Sequence, residues 1–158
     1  RYDIAFCFKL ENEPLVEFHP ISYQELVLIV PKGHPLEGRD SIDLEDTLAY
    51  PHITFSERSG LRPVIDRMFE TCGGFPQSDY ALEEDLAIAG LVSAGFGIAV
   101  IPRMSILEYM PVKIIEITKP SWERIFYMAT LKNVYEAPVI QHFKNFVLEH
   151  ADLVKKNY

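Results

Sequence analysis

Cysteine is scarce in this chain. Only Cys7 and Cys72 occur in 158 residues, and they lie in different apolar segments. That usage argues against a disulfide scaffold and fits a reducing cytoplasm, with both thiols expected to fill core. Long apolar runs are lacking too: none reaches the ~18 residues that a membrane span needs, so no membrane partner is expected. No secretory signal opens the chain, which starts with Arg1-Tyr2-Asp3 at what reads as a strand, as though an upstream segment were missing. Clustered basic charge is also missing. The 15 Lys and Arg are scattered among 23 Asp and Glu, the net charge is −8, and the one dense pair is Lys155-Lys156. A nucleic-acid surface needs clustered cations to displace counterions from phosphates, so this segment is not expected to hold DNA or RNA itself.

Reactive constellations are equally sparse. His19, His34, His52, His142 and His150 show no metal-ligand spacing. Gly95-Phe96-Gly97 follows a helical pattern and precedes a strand, the reverse of a dinucleotide loop. Ser56 follows Thr54-Phe55, so no Gly-x-Ser-x-Gly elbow surrounds it. No metal, no cofactor and no catalytic residue is expected, and the chain is not expected to be an enzyme.

What is present is α/β patterning over a hydrophobic content of 48%, enough for a substantial core. Residues 83–102 open with three acids, run through an almost wholly apolar helical stretch, stop at Gly95 and Gly97, and continue as a short apolar strand. Acids suit a helix N-terminus and glycine suits its end; a helix this apolar should be buried on most sides. Leu61, Val64, Ile65, Met68, Phe69 and Cys72 fall on one helical face, started near Pro63 and stopped by Gly73-Gly74. Strands are expected at residues 2–8, 15–21, 24–31, 52–55, 78–82, 112–117 and 124–131, with one helical turn at 43–48. A terminal amphipathic helix is marked by Val139, Ile140, Phe143, Val147 and Ala151 after Pro138. Alternation of strand and helix from 52 to 117 implies parallel strands with right-handed crossovers. The chain is expected to leave one lobe near residue 30 and return near 118, making a two-crossing hinge with a cleft.

The loop at 55–60 is the best candidate site. It follows a strand and precedes a helix, where ligands of open α/β sheets bind and where free N–H groups attract anions. Ser56 and Ser59 offer hydroxyls, and Arg58 could pair with a carboxylate. The competing reading is that Ser59 only caps the helix while Arg58 faces solvent. Glu83-Glu84-Asp85 is explained first by capping and dipole complementarity, with Asp85 left able to face the cleft.

Three stretches now carry a resemblance. Leu26-Val27-Leu28-Ile29-Val30-Pro31-x-Gly33-His34-Pro35-Leu36, then Ile42-x-Leu44-x-Asp46, then Leu91-Val92-x-Ala94-Gly95-x-Gly97-Ile98-x-x-Ile101-Pro102, resemble the effector-binding region of LysR-type bacterial transcriptional regulators. Tyr2-Asp3-Ile4-Ala5 resembles that family's strand before the first inter-lobe crossing. Within the family, glutamate-synthase-type and related regulators look most similar. The resemblance implies a type 2 periplasmic-binding-protein-like fold of two Rossmann-like lobes. It further implies a small effector, often a carboxylate or amino-acid-related metabolite, held between them, and a homo-oligomer (dimer or tetramer) that binds DNA through an N-terminal helix-turn-helix. Here the second lobe would span 31–117, and 1–30 with 118–158 would be the remnant of an incomplete first lobe. Carried over by position, effector contacts fall on Phe55, Ser56, Arg58 and Ser59, on Phe8 and Lys9, and near Asp85, with Ser56 as the family's usual Ser/Thr ligand. The DNA-binding domain, the linker and the family's first strand-end site are not found. A transporter's solute-binding protein with the same fold is the alternative; an enzyme of similar lobed fold would need a base and nucleophile that no residue pair here supplies.

Overall fold

The computed structural model describes residues 3–8 and 13–151. Residues 25–122 form one compact unit, and the described parts of 1–24 and 123–158 form another. Lys9 and the Lys155-Lys156 pair lie outside the described residues.

Within 25–122 the frame is the apolar run from Leu26 to Val30, all 3% exposed or less. It is the second half of β2 (Val16–Pro31). On one side it pairs antiparallel with β6 (Ala99–Pro102), on the other with β7 (Val112–Lys119). A strand flanked on both edges and covered on both faces must be continuously apolar, and this one is. The short β3 (Ser41–Asp43) runs parallel to β7. Next to it in the chain, a 3-10 turn over Leu44–Thr47 sits where the sequence shows one helical turn.

On the far side, β4 (His52–Phe55) pairs parallel with β5 (Ser78–Leu82). A parallel bridge between His52 and Ile98 joins that pair to the start of β6. The strands of the unit therefore follow the order β5-β4-β6-β2-β7-β3, with only β2 reversed. The strands between 52 and 117, namely β4, β5, β6 and β7, share one direction, as their alternation with helices implies. The alternation rule governs strands linked through helices, and β2 lies outside that alternation. It separates β6 from β7, which would otherwise be sequential parallel neighbours.

Two helices cover the sheet. α1 (Arg62–Thr71) buries Ile65, Met68 and Phe69, with Leu61 beside them. α2 (Asp85–Ser93) buries only Ile88, Ala89 and Val92, while Leu86 is 53% exposed. The near-uniform apolarity of α2 overstated its burial, because its outward positions include Ala87 and Gly90, small residues that water tolerates. α2 ends in a Schellman motif. Gly95, at φ 84°, donates to Val92 O at 2.9 Å, and Phe96 donates to Leu91 O at 3.1 Å.

Gly97 answers a different need. A Cβ there would stand 2.8 Å from the Pro51 carbonyl oxygen, the same oxygen that accepts from Ile98 N at 3.0 Å. Only glycine allows the β4–β6 bridge to close. Gly97→Ala is expected to cost about 1–3 kcal/mol by overpacking, read as a lowered urea midpoint with an unchanged slope.

In the other unit, β1 (Ile4–Phe8) pairs antiparallel with β8 (Glu123–Leu131), and β8 lies next to β2. The two strands expected at 15–21 and 24–31 are one. Proline is tolerated in a strand where its missing N–H has no partner to serve, so Pro20 does not break the front half of β2, which β8 alone flanks among the described residues. α3 (Pro138–His150) starts at the expected proline, but Val139 is 72% and Phe143 46% exposed. Its apolar stripe is only partly covered; Phe143 meets Phe6 edge-on at 6.4 Å.

Candidate functional site

β4 and β5 end in register, Phe55 opposite Leu82. β4 leads through the turn at 56–61 into α1, and β5 through residues 83–84 into α2, so both connections leave from one end of the same strand pair. Ser56 is the first residue past β4, and its N–H donates to Leu82 O at 2.8 Å. Its hydroxyl is the notable atom. Ser56 Oγ has less than 1 Å² accessible to solvent and no hydrogen-bond partner among the described residues. Buried hydroxyls normally have partners; one left unpaired in the strand-end turn that leads into α1 is suited to receive a partner from outside the chain.

The other expected residues divide by what they touch. The Phe55 side chain is 1% exposed and belongs to the core, so its contribution to the loop runs through its backbone. Ser59 Oγ accepts from Leu61 N at 3.2 Å, and Ser59 O accepts from Arg62 N at 3.1 Å, so its hydroxyl is engaged in the turn before α1. Arg58 is 87% exposed and stands 3.8 Å from the Glu83 carboxylate, an exposed pair worth little in stability. Asp85 is half-buried at the first position of α2. Phe8 closes β1 in the other unit, its ring 5.1 Å from Phe126.

Sequence reasoning missed Arg62. Its Nε donates to both carboxylate oxygens of Asp66 at 2.8 and 2.7 Å, and its Nη1 donates to Phe55 O at 2.9 Å. The available signal was a cation at the first position of a helix, against the macrodipole. Among the described residues no three potential metal ligands gather, and no helix is long and apolar enough to cross a membrane.

The family described as the LysR substrate binding domain matches residues 1–152. The chain belongs to that family. The LysR-type effector-binding fold, periplasmic-binding-protein-like of type 2, is that of its structural relatives. The effector binding domain of QuiR in complex with shikimate is 44% identical, with a TM-score of 0.86 over 96% of this chain and 73% of that one. The regulatory domain of Synechocystis PCC6803 CcmR in complex with 2-PG shares the fold at a TM-score of 0.83 and 20% identity, over 98% of this chain and 74% of that one. Among curated proteins, the uncharacterized HTH-type transcriptional regulator YybE of Bacillus subtilis is 28% identical over 148 residues, 94% of this chain and 51% of that protein. The transcriptional dual regulator GltC of Bacillus subtilis is 33% identical over 132 residues, 80% of this chain and 43% of that protein. This LysR-type domain spans about half the length of the curated relatives it matches. Those relatives are transcriptional regulators, which disfavours the transporter alternative.

Proposed function

We propose that this LysR-type domain senses a small hydroxylated carboxylate, gripped at the ends of β4 and β5. The observation that carries the reading is the buried, unpartnered hydroxyl of Ser56. A carboxylate oxygen placed there would accept from Ser56 Oγ while the first turns of α1 and α2 supply partial positive charge. The 44%-identical QuiR domain binds shikimate, which makes shikimate the first probe. Arg58, Ser59 and Asp85 are proposed as further contacts at the ends of β4 and β5, and Phe8 and Lys9 as effector contacts of the other unit. The full-length protein is proposed to be a cytoplasmic bacterial regulator, oligomeric and without enzymatic activity, whose helix-turn-helix lies outside this chain. A ligand shifts such an assembly only through unequal affinity for its states.

Ser56→Ala separates recognition from folding. The hydroxyl has no partner among the described residues, so its removal is expected to leave the urea midpoint unchanged or raise it. Shikimate binding by titration calorimetry should weaken about 10- to 100-fold, the worth of one hydrogen bond to a charged group. Equal affinities for the two proteins would place the ligand elsewhere, and a wild type that binds no shikimate would remove that ligand class.

A further inference from the structure

We infer that Arg62, oriented by Asp66, is a positioning residue for effector recognition; the inference deepens the proposed role of Ser56 and rests on it. The peptide unit between Phe55 and Ser56 is anchored at both ends. Its carbonyl oxygen accepts from Arg62 Nη1 at 2.9 Å, and its N–H donates to Leu82 O at 2.8 Å. With that plane held, the Ser56 side chain leaves the backbone in one direction, and its Oγ stays buried and free of partners among the described residues.

Helix stability alone does not call for this arginine. A cation in the first turn opposes the macrodipole, and Arg four residues before Asp is the less favourable order for an i,i+4 pair. The side chains of Arg62 and Asp66 are 31% and 32% exposed, so both have also given up part of their hydration. The arrangement gains a planar fork that grips Asp66 through one nitrogen and the end of β4 through another. A lysine ammonium lacks that fork. A local rule broken at the mouth of a binding loop is where function is expected to reside.

Three variants of the chain test this: Arg62→Gln, Arg62→Lys and Asp66→Asn. Amide hydrogen exchange at Ser56 reads the clamp without any ligand. Arg62→Gln should speed exchange there about tenfold, the loss of one charged hydrogen bond, with Arg62→Lys between it and the wild type and Asp66→Asn smaller still. Shikimate affinity should fall about tenfold in Arg62→Gln, yet by less than about twofold when Ser56→Ala is already present, because coupled residues are not additive. Unchanged exchange at Ser56 overturns the inference, as does a full additional loss in the Ser56→Ala background. Faster exchange in a chain whose wild type binds no shikimate upholds the clamp and removes the ligand class instead.

Discussion

Truncating Phe69 to alanine is expected to destabilise the 25–122 unit by about 3–5 kcal/mol. Phe69 is 2% exposed on the inner face of α1, and its ring meets His52 of β4 edge-on at 5.2 Å. The loss combines the transfer of a large apolar side chain, the cavity left between helix and sheet, and an aromatic contact worth about 0.5–1.5 kcal/mol. Domains of this size hold only about 5–15 kcal/mol in total, so the variant should sit near the edge of folding. Urea unfolding at pH 7 measures it. A loss below about 1 kcal/mol would mean that the site collapses freely or that α1 does not pack on β4 through this ring. Because the turn that holds Ser56 leads into α1, the same variant should lose shikimate binding wherever it loses structure.

Acid should have an effect nearly as large, through His52. The residue is 2% exposed, and its Nε2–H donates toward Thr47 O at 3.2 Å, with Thr47 Oγ1 at 3.1 Å. Thr47 Oγ1 spends its own proton on Leu44 O at 2.7 Å, which fixes the imidazole as the donor. Burial holds the folded pKa at about 4 against an ordinary 6.5, because the charged ring would lose its hydration. The unfolded chain therefore binds this proton first. The stabilisation is complete above about pH 6.5 and falls away as pH drops towards 4, a total of about 3 kcal/mol. His34 is shifted the same way by burial and adds in the same direction. Replacing His52 with glutamine should lower stability at pH 7 and make the curve shallower between about pH 6.5 and 5, a window in which carboxylates contribute little and His34 supplies the remaining slope. A wild-type curve flat across that window would contradict the burial of His52.

Much of this architecture was legible in the chain. Leu26 to Val30 and Ala99 to Pro102 are short apolar runs bounded by breakers, and both are buried strands. The stripe from Leu61 to Phe69 is a helix because its spacing admits one buried face. Direction was less legible: nothing in the composition of β2 says that it runs against its neighbours, since pairing sense depends on which unit the chain arrives from. β3 is three residues long, too short for any periodicity to show. α3 carries the stripe of a packed helix, while exposure of Val139 and Phe143 depends on what surrounds them. At the site, position alone pointed to Ser56, because a loop after a strand and before a helix is where anions bind. Its lack of a partner, and the use of Ser59 in the turn, are facts about three-dimensional neighbours that spacing does not encode. Arg62 broke a helix rule in plain view and went unread, since its two acceptors lie on β4 and on the next turn of α1.

The most direct test is to titrate shikimate into the isotopically labelled chain and follow backbone amide resonances. Perturbations concentrated on residues 56–59 and 83–85, where β4 and β5 hand over to their helices, and abolished by Ser56→Ala at the same concentrations, are the expected result. Saturable perturbations confined to another surface, or persisting undiminished in Ser56→Ala, would contradict a site built on that hydroxyl.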